Sequence, residues 1–220
     1  MKLLETERGV TRRQFVRGAA VGTGVALAGT VPLTALAATP AVCGESVQDI
    51  LTLAYTIERA ATTFYYTGLT SKPVMTNPKL AGSSGNPNAV SRNGNPANVA
   101  NLQAALDQEQ KHAQILAGLG ATSPYTHFHF PAAAFENMGF TSMAGTFLWT
   151  LDHLETACIA VYLAAVQRFG ELQRPDLAIL CVRNLAIECE HRALYRVIAQ
   201  DDPADNITIP VANFTCTGSA

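Results

Sequence analysis

Glu109 and His112 stand three residues apart, and so do Glu188 and His191. Residues at that spacing share one side of an α-helix, so each Glu-x-x-His pair can aim a carboxylate and an imidazole at one point. Each pair is preceded by another: Glu58…Tyr65 comes before the first and Glu155…Tyr162 before the second. The chain therefore carries Glu-x6-Tyr followed by Glu-x-x-His twice. Four Glu and two His supplied by four helices are the ligand set of a carboxylate-bridged dimetal centre. Ten Glu and five His in 220 residues would give roughly a quarter of one Glu-x-x-His match by chance, and two occur in order. The Tyr element is less specific, because Tyr195 also follows Glu188 by seven residues.

The charge balance supports two cations. Four carboxylates inside an apolar bundle cost on the order of several kcal/mol each to desolvate. They must either be protonated and hydrogen-bonded or be neutralised by cations. Four Glu and two divalent ions sum to zero, with neutral imidazoles completing the shells. In that arrangement Glu109 and Glu188 bridge the ions, and Glu58 and Glu155 are terminal ligands. His112 and His191 each bind one ion. Tyr65 and Tyr162 lie two turns along their helices. They either hydrogen-bond a ligand carboxylate from behind or are core aromatics with a satisfied hydroxyl.

Four helices must position these groups. The first is expected from about Val47 to Thr67, with Ser46 and Asp49 as its capping signal. Leu51, Ala54, Glu58, Ala61, Thr62 and Tyr65 share its apolar face. The second begins after Asn95-Pro96 and ends near Gly118 or Gly120, with Leu102, Ala105, Glu109, His112 and Leu116 inward. The third runs from about Ser142 to Phe169, with Leu148, Leu151, Glu155, Cys158, Ile159 and Tyr162 inward. The fourth runs from Pro175 to about Gln200, with Leu177, Cys181, Asn184, Glu188, His191 and Tyr195 inward. Every proposed ligand thus sits mid-length on an apolar stripe. The fold class is all-α, a four-helix bundle with little or no sheet. The link 68–95 is unusually long for a helix–helix connection. The link 121–141 is long enough to cross the bundle and carries a short helix near Ala132–Asn137. The third and fourth helices are antiparallel neighbours, and an extended tail at Ile207–Val211 packs outside.

The first 37 residues read as an address rather than as fold. Thr11-Arg12-Arg13-Gln14-Phe15-Val16 precedes a Gly/Ala-rich apolar stretch from Gly18 to about Leu36. Ala35-Leu36-Ala37 then gives a small-x-small pattern, with cleavage expected after Ala37. This resembles a twin-arginine export signal. The competing reading, a membrane anchor, fits poorly with the Gly and Thr content. Residues 38–220 then form one domain of 183 residues in an extracytoplasmic or periplasmic compartment, delivered by the twin-arginine machinery. That route carries folded proteins and suits a site loaded before export.

From Ala38 onward ten Lys/Arg face fifteen Asp/Glu, a net charge of −5 without a basic patch. Nucleic acid is therefore not an expected partner, and no later segment reads as a membrane span. The five cysteines fit no zinc spacing. Cys43 and Cys216 flank the bundle and can clip its termini together in an oxidising compartment, a pairing the sequence leaves open. Cys158, Cys181 and Cys189 read as small buried residues. His127 and His129 alternate with aromatics and read as packed, strand-like loop rather than a metal site. His153 and Glu190 face away from the ligand stripe. Arg59 and Arg192, each following a proposed ligand, are expected to pair with acids on neighbouring helices.

Over about residues 45–200 the chain resembles the ferritin-like superfamily, on Glu58…Tyr65, Glu109-x-x-His112, Glu155…Tyr162 and Glu188-x-x-His191. More narrowly it is similar to exported ferritin-like domain proteins, which include desiccation-related members. Rubrerythrin-like proteins share these elements, but this chain has no paired Cys-x-x-Cys motifs for a rubredoxin-type iron. The long insert and the tail depart from the pattern. The resemblance implies a dimetal centre, iron ahead of manganese, with O2 or H2O2 as the small-molecule partner. The expected reaction is oxidation of Fe(II) or removal of peroxide. The competing function is a non-enzymatic metal-binding stress, desiccation or envelope protein built on the same bundle. A homo-oligomer is compatible with either.

Overall fold

The computed structural model describes residues 45–81, 96–140 and 143–203. The export segment with its cleavage site, the Cys43–Cys216 pairing and the Ile207–Val211 tail lie outside the described residues, as do residues 82–95 of the long link.

The described residues form six helices: α1 (Val47–Thr70), α2 (Lys72–Met75), α3 (Pro78–Ala81), α4 (Pro96–Gly118), α5 (Phe147–Glu171) and α6 (Pro175–Ala199). A 3-10 turn spans Ala132–Phe135, and the described residues contain no strand. The start of α1 is fixed as the sequence predicts. The Ser46 side chain accepts from the Asp49 backbone N–H at 3.3 Å, and the Asp49 carboxylate accepts from the Ser46 N–H at 3.1 Å. This reciprocal cap satisfies two N–H groups that the helix itself cannot.

Two apolar clusters at opposite ends of the bundle establish the helix directions. One gathers Phe64 and Tyr65 from the end of α1 and Leu102 and Ala105 from the start of α4. Leu148, Leu151 and Leu154 join from the start of α5, and Tyr195 and Ile198 from the end of α6. The other gathers Ile50, Leu51, Ala54, Leu116, Tyr162, Ala165, Phe169, Leu177 and Cys181, from the opposite ends of the same four helices. So α1 and α6 run one way, and α4 and α5 run the other. The 119–146 connection joins the end of α4 to the start of α5 at the far end, and so crosses the full length of the bundle. The ligand-type residues fall between the two clusters, in the middle layer of each long helix.

Two helix boundaries and the start of the long link differ from the sequence expectation, each because of a contact between separate elements. The first helix continues three residues past Thr67, because Gly68 is a packing residue and not a stop. A Cβ on Gly68 would sit 2.0 Å from the Phe147 ring, so the glycine admits that ring against the α1 backbone. The third helix begins at Phe147 and not near Ser142. Gly145 takes a left-handed φ of 77°, and the N–H groups of Phe147 and Leu148 donate to the carbonyls of Asn137 and Met138 at 2.9 and 2.8 Å. The crossover thus supplies acceptors that a preceding helical turn would have supplied. The start of the long link is also ordered into α2 and α3, where Val74 and Leu80 are buried in the core. Asn98 of α4 donates to the Leu80 carbonyl at 3.0 Å.

Candidate metal centre

Glu58 of α1, Glu109 and His112 of α4, Glu155 of α5, and Glu188 and His191 of α6 are all buried. Burial of so many ionisable groups in one layer demands a physical cause. Ligand atoms of Glu58, Glu109, His112 and Glu188 lie within 4.8 Å of one another, and so do those of Glu109, Glu155, Glu188 and His191. The two groups share Glu109 and Glu188.

Each histidine faces the Glu of the other Glu-x-x-His pair. His112 Nδ1 is 2.8 Å from Glu188 Oε1 and 3.6 Å from Glu58 Oε1. His191 Nδ1 is 2.9 Å from Glu109 Oε1 and 3.8 Å from Glu155 Oε1. The two contacts under 3 Å are close, yet neither has the alignment of a hydrogen bond, and both Nδ1 atoms lack a hydrogen-bond partner among the described residues. Ligands about 2.1 Å from an octahedral ion lie roughly 3 Å from each other, and these separations match that spacing.

The carboxylates divide into two kinds. Glu155 Oε1 accepts from the Tyr65 hydroxyl at 3.0 Å and faces the Tyr195 hydroxyl at 3.4 Å. Glu58 Oε1 accepts from the Tyr162 hydroxyl, which itself accepts from Asn184 Nδ2 at 2.9 Å. Glu58 and Glu155 therefore each have one oxygen held by a phenol and one, Oε2, buried without a partner. Among the described residues, Glu109 and Glu188 have both oxygens buried without a hydrogen-bond partner. A buried oxygen left this way costs roughly 1–3 kcal/mol, more when charged. A shell of such oxygens and two Nδ1 atoms is the donor set expected around cations.

The protonation of the metal-free cluster follows from the same geometry. Burial, then the neighbouring carboxylates, holds Glu109, Glu155 and Glu188 above the usual carboxylate range. Burial would lower His112, but Glu188 and Glu58 outweigh it and raise the imidazole to about 10. Burial lowers His191. Without cations, then, the cluster limits its charge by retaining protons.

A family model described as the ferritin-like domain matches residues 46–201. The chain belongs to the ferritin-like family. No match was found among curated proteins or among solved structures. The match takes in all four long helices of the ferritin-like bundle and all six ligand-type residues, whose buried carboxylates and imidazoles can hold a metal ion.

The Tyr65 and Tyr162 hydroxyls each donate to a carboxylate of the cluster on a different helix. Three contributors were not singled out from sequence. Asn184 and Tyr195 lie on the predicted apolar stripe of α6 but read there as core. Gln108 is half-buried, and its Oε1 lies 2.8 Å from His191 Nε2. Its signal was only its position beside Glu109.

Other expectations divide. Arg192 does reach an acid on a neighbouring helix, with Nε 3.3 Å from Asp152 Oδ1. Arg59 does not: it donates to the carbonyls of Tyr125 and Thr126 at 3.0 and 3.1 Å and lies over the Phe128 ring, which ties the crossover to α1. His127 and His129 are exposed while Phe128 and Phe130 turn inward, so the crossover is the packed loop expected, though without strand pairing. His153 faces its own helix, with Nδ1 2.8 Å from the Trp149 carbonyl. Cys158 and Cys181 are buried, but Cys189 is exposed, because it follows Glu188 by one position and a helix turns it away from the stripe. No helix among the described residues is long and apolar enough to cross a membrane.

Proposed function

We propose that this ferritin-like protein holds two divalent metal ions, iron in preference to manganese, and works outside the cytoplasm to oxidise Fe(II) or remove peroxide. The observation that carries the reading is the division among the carboxylates. Glu109 and Glu188 present two unpartnered oxygens each and belong to both candidate groups, as bridging ligands must. Glu58 and Glu155 present one oxygen each, as terminal ligands would. His112 would complete one position and His191 the other. Iron and manganese both accept this ligand chemistry; the resemblance seen in sequence favours iron. The twin-arginine pattern at Arg12-Arg13 supports export.

When bound, such a pair of ions supplies two electrons and open coordination positions for O2 or H2O2. Reduction of H2O2 to two waters consumes two electrons and two protons, with Fe(II) as the electron donor in the ferroxidase case. The chain's own residues set the conditions. Tyr65 and Tyr162 fix the orientation of Glu155 and Glu58 by donating a hydrogen bond to one oxygen of each. The apolar clusters above and below exclude water. Burial raises the Tyr162 and Tyr195 hydroxyls, so both phenols keep their protons at neutral pH.

Elemental analysis of the mature protein, purified without chelator from its own compartment, tests the proposal. Two iron ions per chain, with Fe(II)-dependent consumption of O2 or H2O2, are expected. Two ions without turnover would leave the metal-binding stress or envelope role. No metal as purified, and none taken up from anaerobic Fe(II) or Mn(II), would overturn the dimetal reading.

A further inference from the structure

Resting on the dimetal reading, the geometry points to Gln108 as a positioning residue that makes the Glu155/His191 position the tighter of the two ion sites. Gln108 and Glu109 are consecutive on α4 and address opposite edges of one imidazole. Glu109 Oε1 lies 2.9 Å from His191 Nδ1, and Gln108 Oε1 lies 2.8 Å from His191 Nε2. A histidine that offers the Nδ1 lone pair to a cation must carry its hydrogen on Nε2. The Gln108 carbonyl oxygen is placed to accept that hydrogen. The ring is then held in the ligating tautomer and rotamer before an ion arrives, so less ordering remains to be done on binding.

The repeat does not supply the same support to the other half. Ile187 precedes Glu188 where Gln108 precedes Glu109, and an aliphatic side chain cannot accept from His112. No described side chain hydrogen-bonds His112 Nε2. The two positions share Glu109 and Glu188 and each has one terminal Glu held by a phenol, so the support behind the imidazole is a principal difference between them. A partner of this kind typically changes metal affinity about 10–100-fold.

Titration of the chelator-stripped mature chain with Mn(II), followed by calorimetry and by the electron paramagnetic resonance of bound Mn(II), tests this. Wild type is expected to bind in two steps that differ about tenfold or more. His191→Ala removes the tight step and His112→Ala the weak one. Gln108→Leu weakens the tight step about 10–100-fold and leaves the weak one in place, while Gln108→Glu, which keeps an acceptor oxygen, restores the order. Circular dichroism of each variant checks folding, and the Glu variant serves if the Leu variant is not native. Two steps of equal affinity, or a folded Gln108→Leu chain with both steps unchanged, overturns the role of Gln108. Wild type that binds no Mn(II) and no Fe(II) overturns the dimetal reading itself, which is a different result.

Discussion

The Tyr65 hydroxyl donates a 3.0 Å hydrogen bond to Oε1 of Glu155, ninety residues away and on another helix. Tyr162 returns the relationship by donating to Glu58 on α1. Because α1 and α5 are antiparallel, each tyrosine reaches back toward the site from a different end of the bundle. The two phenols are not equivalent. Glu155 also faces Tyr195, whereas Glu58 relies on Tyr162, which is itself braced by Asn184. Tyr162→Phe is therefore expected to cost more than Tyr65→Phe, by about 1–3 kcal/mol for the newly orphaned groups. Urea midpoints of the metal-free variants measure this, and equal midpoints would contradict the asymmetry.

Gly68→Ala tests how α1 meets α5. The added methyl would lie 2.0 Å from the Phe147 ring, which is itself fully buried between Phe64 and Phe135. The methyl and the buried ring cannot both keep their places, so overpacking of about 1–3 kcal/mol is expected. Gly170→Ala, where a Cβ meets nothing within 4 Å, should be neutral or slightly stabilising. Thermal denaturation of the two variants separates a packing glycine from a merely tolerated one.

Both glycines bear on what was legible in the sequence. The residues of each buried stripe could be read from the 3.6-residue period, because most core-facing positions are apolar or one of the six ligand-type groups, with few polar exceptions such as Asn184. The four helices and the mid-level placement of Glu58, Glu109, Glu155 and Glu188 followed from that. Boundaries set by tertiary contact could not be read. Gly68 looks like a terminator until Phe147 is seen against it. The start of α5 depends on carbonyls of Asn137 and Met138, which no local pattern announces. Arg59 was expected to find an acid, yet the loop carbonyls of Tyr125 and Thr126 accept from it instead. Gln108 gave no signal beyond its place beside Glu109, because its partner, His191, is 83 residues away, and only the packing of α4 against α6 brings them together.

The metal-free protein is expected to lose stability as pH rises. Raised carboxyls on Glu109 and Glu155 keep protons in the folded state that the unfolded chain has released above about pH 4.5. His112, raised to about 10 from 6.5, does the same between those values. His191 is lowered and is neutral in both states above 6.5, so it adds nothing in that window. Where the folded state binds more protons, stability falls with pH, by up to about 1.4 kcal/mol per unit for each proton retained. The unfolding midpoint of chelated protein should therefore drop steadily from pH 6.5 toward 10. With metal saturating the site the slope should largely vanish over this range, since ligation displaces the same protons and neither state then holds them above pH 6.5. A metal-free midpoint that rises over this range would refute the protonation scheme.

Glu109→Gln and Glu188→Gln separate the cost of the buried charge from its use. Gln has nearly the shape of a protonated Glu but needs no proton, so either variant should match or exceed wild type in stability at pH 8 without metal. Neither can bridge two ions. Wild type with free metal at 100 times its dissociation constant should gain about 2.7 kcal/mol for a single site, and the variants little or none. Leu102→Ala, in the apolar cluster away from the ligands, should behave in the opposite way. It should lose about 2–5 kcal/mol with or without metal and keep the metal-dependent increment. Paired melting curves for the three variants, with Mn(II) and with chelator, distinguish the cases. If both Gln variants kept the full metal increment, Glu109 and Glu188 would not be the shared ligands.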